Sequence, residues 1–258
     1  VGTPWVLSIH GMLDDWCMDQ RGLKEQFYLA TAGRIMLRGA NTFLSTAEEE
    51  KRQASRWLKH DNVAVIPYIV DLEPYKELPT PEEAIEAFGQ SDCPTVLFLS
   101  RVHEKKSIET LIDSTALLKE KGKQIRVLIA GTGEDAYVAS LKTRAESAGV
   151  SEDIIFLGMV VGDLKLSLYA MADVFALPTQ QENFGLVYPE ALLCGTPVIG
   201  TKGTDIWREL EEGGAVIAPR TPEAFADAID LLCSDKSKLQ ELGVRGRNQM
   251  LKWLDTES

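Results

Sequence analysis

From Thr95 onward the sequence alternates between continuous apolar runs and amphipathic stretches joined by short connections, and few folds accommodate that pattern. The apolar runs lie at 95–100, 125–131, 153–158, 174–179, 197–201 and 214–218. Between and after them, 107–121, 134–148, 163–172, 189–194, 205–211 and 222–234 read as helices. Strands that are apolar throughout, rather than at every second position, are covered on both faces, as in a parallel sheet. Repeated strand–helix alternation of this kind predicts a doubly wound α/β domain. Thr221-Pro222-Glu223 marks one helix start, with an N-cap, a proline at the first position and an acid in the first turn.

The first part of the chain holds less of the same pattern. Strands are expected at 5–9, 41–46 and 63–67, with a helical region near 19–38 and a charged helix from Ala47 to Leu58. Three strands with their helices make a partial Rossmann-like sheet whose apolar edge needs cover. Pro74, Pro79, Pro81 and Pro94 punctuate the stretch that follows. The expected organisation is a partial domain over 1–75, a linker with one short helix over 76–94, and a Rossmann-like domain over 95–258.

Composition removes several function classes. The formal charge is -12 and the pI about 4.8, against a general basic surface for nucleic acid. No apolar run reaches membrane-spanning length, and no opening basic-then-apolar segment reads as a signal peptide. Cys17, Cys93, Cys194 and Cys233 form no CxxC pair and no zinc spacing with histidine. They read as small buried apolar residues in a reduced, cytoplasmic setting.

In an open α/β sheet, ligands bind beyond the carboxyl ends of the strands, so the residues there carry the functional information. After the 95–100 strand come Arg101, His103, Lys105, Lys106 and Ser107, followed by a helix. Cations at a helix N-terminus suit a diphosphate, although a solvated basic loop gives the same pattern. After 125–131, Gly131 and Gly133 let backbone approach a ligand closely; a tight turn explains them equally well. After 174–179 comes the segment Gln180-Gln181-Glu182-Asn183-Phe184-Gly185-Leu186-Val187-Tyr188-Pro189-Glu190, with Pro189 read as the first helical residue. Glu182 and Glu190 stand eight residues apart around a glycine turn that offers backbone N–H groups. Carboxylates accept hydrogen bonds in pairs, which suits vicinal sugar hydroxyls. The plainer alternative is one exposed loop acid and one first-turn acid favoured by the helix dipole.

This segment resembles the Glu-x7-Glu motif of retaining GT-B glycosyltransferases of family 4, the group 1 type. Arg101 and Lys106 resemble that family's diphosphate-binding pair, and Cys194–Thr201 its next strand. The resemblance implies a GT-B-like fold and transfer of a sugar from a nucleoside-diphosphate sugar to an acceptor hydroxyl with retention. By position, Glu190 would bind the nucleotide ribose and Glu182 the donor-sugar hydroxyls. Arg101 and Lys106 would hold the phosphates, and backbone from Asn183 through Phe184 and Gly185 to Leu186 would contact sugar or diphosphate. Ser8–Leu13 resembles the stretch in which a histidine, here His10, faces the donor sugar.

The match has departures. Ser107 stands where the family has glycine, and Tyr68-Ile69 where it commonly has Asn-Gly. The opening strand and glycine-rich acceptor loop have no counterpart, and Trp253-Leu254-Asp255 resembles the start of a helix returning to the first domain. Both ends therefore read as cut. The expectation is a chain that binds donor, transfers sugar weakly or not at all, and self-associates through an open sheet edge in residues 1–70.

No Asp-x-Asp motif is present, so no metal and no cofactor are expected, with the diphosphate neutralised by side chains and backbone. The acceptor is left open among lipid, polysaccharide and small molecule, as is peripheral contact with the inner face of a membrane. A nucleotide-sugar epimerase and a non-catalytic nucleotide-sugar-binding module are the alternatives.

Overall fold

The computed structural model describes residues 3–13, 27, 31–58 and 62–255. Cys17, His60 and most of the expected 19–38 helix before Thr31 lie outside the described residues. The chain divides into two compact units, Val1–Val70 with Gln181–Phe184, and Asp71–Gln180 with Gly185–Ser258.

The smaller unit is built on three parallel strands in the order β1 (Val6–Ser8), β2 (Thr42–Ser45), β3 (Val63–Val65). Helix α1 (Ala32–Gly39) precedes β2, and α2 (Glu48–Ala54) links β2 to β3. Ile9, Leu13, Ala40, Phe43, Ala54, Leu58 and Val63 form its core.

The larger unit carries six parallel strands: β4 (Thr95–Leu99), β5 (Arg126–Ala130), β6 (Ile154–Gly158), β7 (Val174–Ala176), β8 (Val198–Gly200) and β9 (Val216–Ile217). Their spatial order is β6-β5-β4-β7-β8-β9. Numbered within the sheet this is 3-2-1-4-5-6, which reverses direction between β4 and β7. Val96, Leu97, Phe98, Val127, Leu128, Ile129, Val174 and Phe175 are buried, as strands covered on both faces must be. The covering helices are α4 (Ile108–Glu120), α5 (Asp135–Ser147), α6 (Gly162–Met171), α7 (Val187–Leu193), α8 (Trp207–Glu212), α9 (Pro222–Cys233) and α10 (Lys236–Leu254). The Thr221 hydroxyl caps α9 by accepting from the Ala224 N–H. This is the doubly wound, Rossmann-type α/β fold, preceded by the partial Rossmann-like sheet.

Residues 76–94 hold the short helix expected there, α3 (Glu82–Phe88), which lies against α6 within the larger unit. The Ala84 N–H donates to Ser167 Oγ at 3.0 Å, and Arg126 donates to the Gly89 carbonyl at 2.8 Å. Arg247 of α10 donates to the carbonyls of Tyr75, Lys76 and Leu193. The proline-rich stretch is thus tied along its length.

Three sequence readings need correction. Helix α7 starts at Val187, so Pro189 is its third residue rather than its first. The first-turn N–H groups have no intrahelical partner, and proline there sacrifices no hydrogen bond. The 174–179 apolar run leaves the strand at Ala176, and its backbone turns toward neighbouring loops beyond Leu177. Helix α10 was not expected, and Trp253 closes it instead of opening another. Gly243 and Gly246 lower its intrinsic helix propensity. Packing requires the first of them: a Cβ on Gly243 would stand 2.1 Å from the Gly195 carbonyl oxygen.

That contact decides a sign. On propensity alone, Gly243→Ala would stabilise α10 by up to about 1 kcal/mol. Against the Gly195 backbone it should instead cost about 1–3 kcal/mol. Urea unfolding of the two proteins measures the difference.

Candidate functional site

The reversal of strand order sends the chain away from β4 and β7 in opposite directions and leaves their exit loops side by side. They are joined directly: the Gln180 N–H donates to the Lys105 carbonyl at 2.7 Å, and the Thr179 hydroxyl to the same oxygen at 3.2 Å. The β4 exit also runs beside the β5 exit, with the Val102 N–H donating to the Thr132 carbonyl at 2.9 Å. Gly131 and Gly133 make this possible. A Cβ on either would stand 1.9 Å from the Ser100 oxygen or 2.0 Å from the Val102 oxygen, respectively. Gly131 also has φ +141, closed to other residues. The structure therefore gives both glycines a packing cause, the approach of two backbones.

A 3-10 turn over Glu104–Lys106 follows, with His103 Nδ1 accepting from the Lys105 N–H at 3.1 Å. Arg101 is exposed and Lys106 buried. Ser107 occupies the N-cap position of α4 but does not cap it. Its backbone is left-handed, φ 51, and its hydroxyl accepts from Arg220 Nη1 at 3.2 Å. A glycine would take that conformation without strain. Arg220, Lys202, Thr179 and Thr201 line a pocket of about 470 Å³ over the exits of β7, β8 and β9.

Glu190 lies in the first turn of α7, and its carboxylate is engaged from α6. Lys165 Nζ donates to Oε1 at 2.8 Å. The Tyr169 hydroxyl lies 3.2 Å from Oε2 and 3.3 Å from the Val187 carbonyl. Burial, then the Glu190 charge, raises the Tyr169 phenol well above its usual range, so it stays a donor. Cys194 at the end of α7 is pushed up to about 12, first by burial and then by Glu190. The first-turn acid thus has specific partners beyond the helix dipole. Sequence reading missed Lys165 and Tyr169; their i, i+4 spacing on the expected 163–172 helix was the available signal.

In the smaller unit the β1 exit is held by Glu50, a buried acid of α2. It accepts from the Gly11 N–H, from the Thr46 N–H at 2.6 Å, from the Thr46 hydroxyl at 2.9 Å and from Ser45 Oγ at 3.1 Å. His10, with φ 47, stands beside this anchor. Its Nδ1 is 2.9 Å from the Tyr68 hydroxyl, and the two rings stack at 5.9 Å. Tyr68 meets the edge of Phe184 at 5.2 Å, and the Thr46 hydroxyl lies 3.2 Å from Asn183 Oδ1. Burial first, then Glu50 and Glu182, raise the Tyr68 phenol. Tyr68, noted in sequence only as a departure, is the residue that links His10 to the 181–184 segment.

The expected site residues therefore fall into two sets. Arg101, Lys106, Gly131, Gly133, Gly185, Leu186 and Glu190 belong to the larger unit; His10, Glu182, Asn183 and Phe184 belong to the smaller. Among the described residues no group of three or more His, Cys, Asp or Glu could hold a metal ion. None of the described helices is long and apolar enough to cross a membrane.

A six-stranded sheet with a switch point, a basic loop at one strand exit and a partnered glutamate at the next defines a GT-B-like, Rossmann-type fold. The sequence profile described as "Glycosyl transferases group 1" matches residues 82–249, and the chain belongs to that family. It is 28% identical over 234 residues to a D-inositol 3-phosphate glycosyltransferase of Nocardia farcinica, covering 87% of this chain and 50% of that protein. It is 30% identical over 175 residues to a GDP-mannose-dependent alpha-(1-6)-phosphatidylinositol monomannoside mannosyltransferase of Mycolicibacterium smegmatis, covering 64% of this chain and 45% of that one. The chain thus spans about half the length of the curated relatives it matches. Among solved structures, HepE of Anabaena in complex with UDP superposes with a TM-score of 0.85 at 21% identity, over 98% of this chain and 68% of that one. Sucrose-phosphate synthase of Thermosynechococcus elongatus gives 0.84 at 24% identity, over 100% of this chain and 65% of the other.

The Glu50 anchor is open to test. Glu50→Ala leaves several donors unpaired and should cost about 2–4 kcal/mol in the smaller unit. Amide hydrogen exchange should accelerate across β1 and β2 while β4 and β5 keep their protection.

Proposed function

We propose that this chain binds a nucleoside-diphosphate sugar and belongs to a glycosyltransferase that passes the sugar to an acceptor hydroxyl with retention, by the family 4 route. The observation that carries this reading is Glu190, fixed at a helix start beyond the carboxyl edge of a doubly wound sheet whose switch-point loop bears Arg101 and Lys106. Nucleotide ligands bind at such an edge. Arg101 and Lys106 neutralise the diphosphate and, with backbone N–H groups, stabilise it as it departs. Glu190 accepts from the ribose hydroxyls. Glu182 accepts from the donor sugar, backbone of Asn183–Leu186 contacts sugar or diphosphate, and His10 faces the sugar.

The relatives support a nucleotide-sugar donor. The Mycolicibacterium protein is described as GDP-mannose-dependent, and HepE has been solved with UDP-glucose. The acceptor is a hydroxyl of a lipid, polysaccharide or small molecule. A reduced, cytoplasmic setting belongs to the same proposal.

Two measurements test the assignment. Calorimetry with nucleoside diphosphates should give the same affinity with and without a chelator; binding that disappears with the metal removes the proposed charge neutralisation. Glu190→Ala should weaken free nucleotide by about 1–3 kcal/mol. Glu182→Ala should leave free nucleotide unchanged and weaken the sugar nucleotide. Equal loss of free nucleotide in both variants rejects the division of roles.

A further inference from the structure

The Glu190 carboxylate has four lone-pair positions on its two oxygens. Lys165 occupies one on Oε1, and the Tyr169 hydroxyl one on Oε2. One position on each oxygen remains, and those two form the acceptor pair that a vicinal diol requires. Lys165 and Tyr169 share a face of α6, one turn apart, so a single helix fixes both oxygens at once. Lys165 is only 25% exposed and Glu190 17%, so their attraction is less screened than at an open surface.

We infer that Lys165 is the positioning residue for ribose recognition, holding Glu190 as an oriented, charge-compensated acceptor pair for the 2′ and 3′ hydroxyls of a ribonucleoside diphosphate. The inference rests on the assignment of Glu190 to the ribose and adds the residue through which that glutamate acts.

Two physical consequences distinguish this role from simple helix packing. A nucleoside diphosphate is itself anionic, and a bare glutamate beside it would repel it; the Lys165–Glu190 pair presents no net charge. A carboxylate released by Lys165 keeps only the Tyr169 hydroxyl bond, and the paired geometry for the diol is no longer fixed at both oxygens. The charge compensation acts on any diphosphate ligand, whereas the orienting contribution of Lys165 appears only when the ligand carries the hydroxyls, and so it is read in the ratio of the two affinities. Arginine at the same place also donates to a carboxylate oxygen and keeps the charge.

The test uses whichever of UDP and GDP the wild-type chain binds more tightly, together with its 2′,3′-dideoxy analogue, titrated by calorimetry. Wild type should favour the ribonucleotide by about tenfold or more, the worth of one or two hydrogen bonds to a charged acceptor. Lys165→Met should reduce that ratio to near one, and Lys165→Arg should restore most of it. Glu190→Gln combined with Lys165→Met should add little further loss, because the two act through one interaction. If Lys165→Met is not folded by circular dichroism, Lys165→Gln carries the same comparison. A full ratio in Lys165→Met or Lys165→Gln, while Glu190→Gln loses it, overturns the positioning role and leaves the ribose assignment standing. Equal weakening of both ligands with the ratio intact overturns it too. No ratio in wild type, with no loss in Glu190→Gln, removes the ribose assignment and this inference together.

Discussion

The hydrogen bonds from Gln180 and Thr179 to the Lys105 carbonyl fasten together the two strand-exit loops at the switch point of the larger unit. They exist because β4 is central and β7 is its neighbour on the side opposite β5. Right-handed crossovers carry the chain one way from β4 to β6 and the other way from β7 to β9. Loops leaving β4 and β7 then have no crossover helix between them, and their free peptide groups must pair with each other or with water. Fixing Lys105 fixes its neighbours on both sides. Lys106 is buried and Ser107 begins α4, so the basic loop is part of the frame.

Both units use a buried or half-buried glutamate on a helix following a strand, and both compensate it, by different means. Glu50 is satisfied by backbone N–H and hydroxyl donors from the loops beside it. Such neutral donors anchor backbone, and Glu50 accordingly holds the β1 exit where His10 sits. Glu190 is met by an ammonium and a phenol from one helix. Its partners are side chains on one helix, and each oxygen keeps an acceptor position beyond those bonds. The second arrangement suits recognition, because partners on a helix hold geometry better than partners on a loop.

The sheet of the larger unit was legible in the sequence because its strands are buried on both faces, and continuous apolar runs announce themselves without tertiary information. Strand ends were less legible: Leu177 and Pro178 are as apolar as a strand, yet backbone there departs to meet Lys105 and its surroundings. Helix α10 was hidden by Gly243 and Gly246, which allow close approach to the Gly195 backbone after α7 and to Leu192 of α7 at a cost in helix propensity. Of the expected site residues, Arg101, Lys106, Glu182 and Glu190 stood out in the sequence by their position after strands. Tyr68 did not, and Lys165 and Tyr169 offered only their helical spacing, since the significance of all three lies in what they touch from other elements. Glu50 was concealed most completely: in a run of acids, one buried carboxylate looks like its solvated neighbours.

Ser107 shows how such a departure propagates. Serine in the left-handed region costs on the order of 1 kcal/mol relative to glycine. The same conformation turns its hydroxyl away from the N-cap bond, leaving the first N–H groups of α4 without a side-chain acceptor from Ser107. The hydroxyl instead accepts from Arg220, which begins the connection into α9, and α9 packs against α4. A local backbone strain is thus offset by a tie between two helix starts. The tie also brings a guanidinium to the opening of α4, where the helix dipole already presents positive potential. The Arg220–Ser107 bond thus sets a cation beside a positive helix end, a local charge opposite in sign to the chain's net -12.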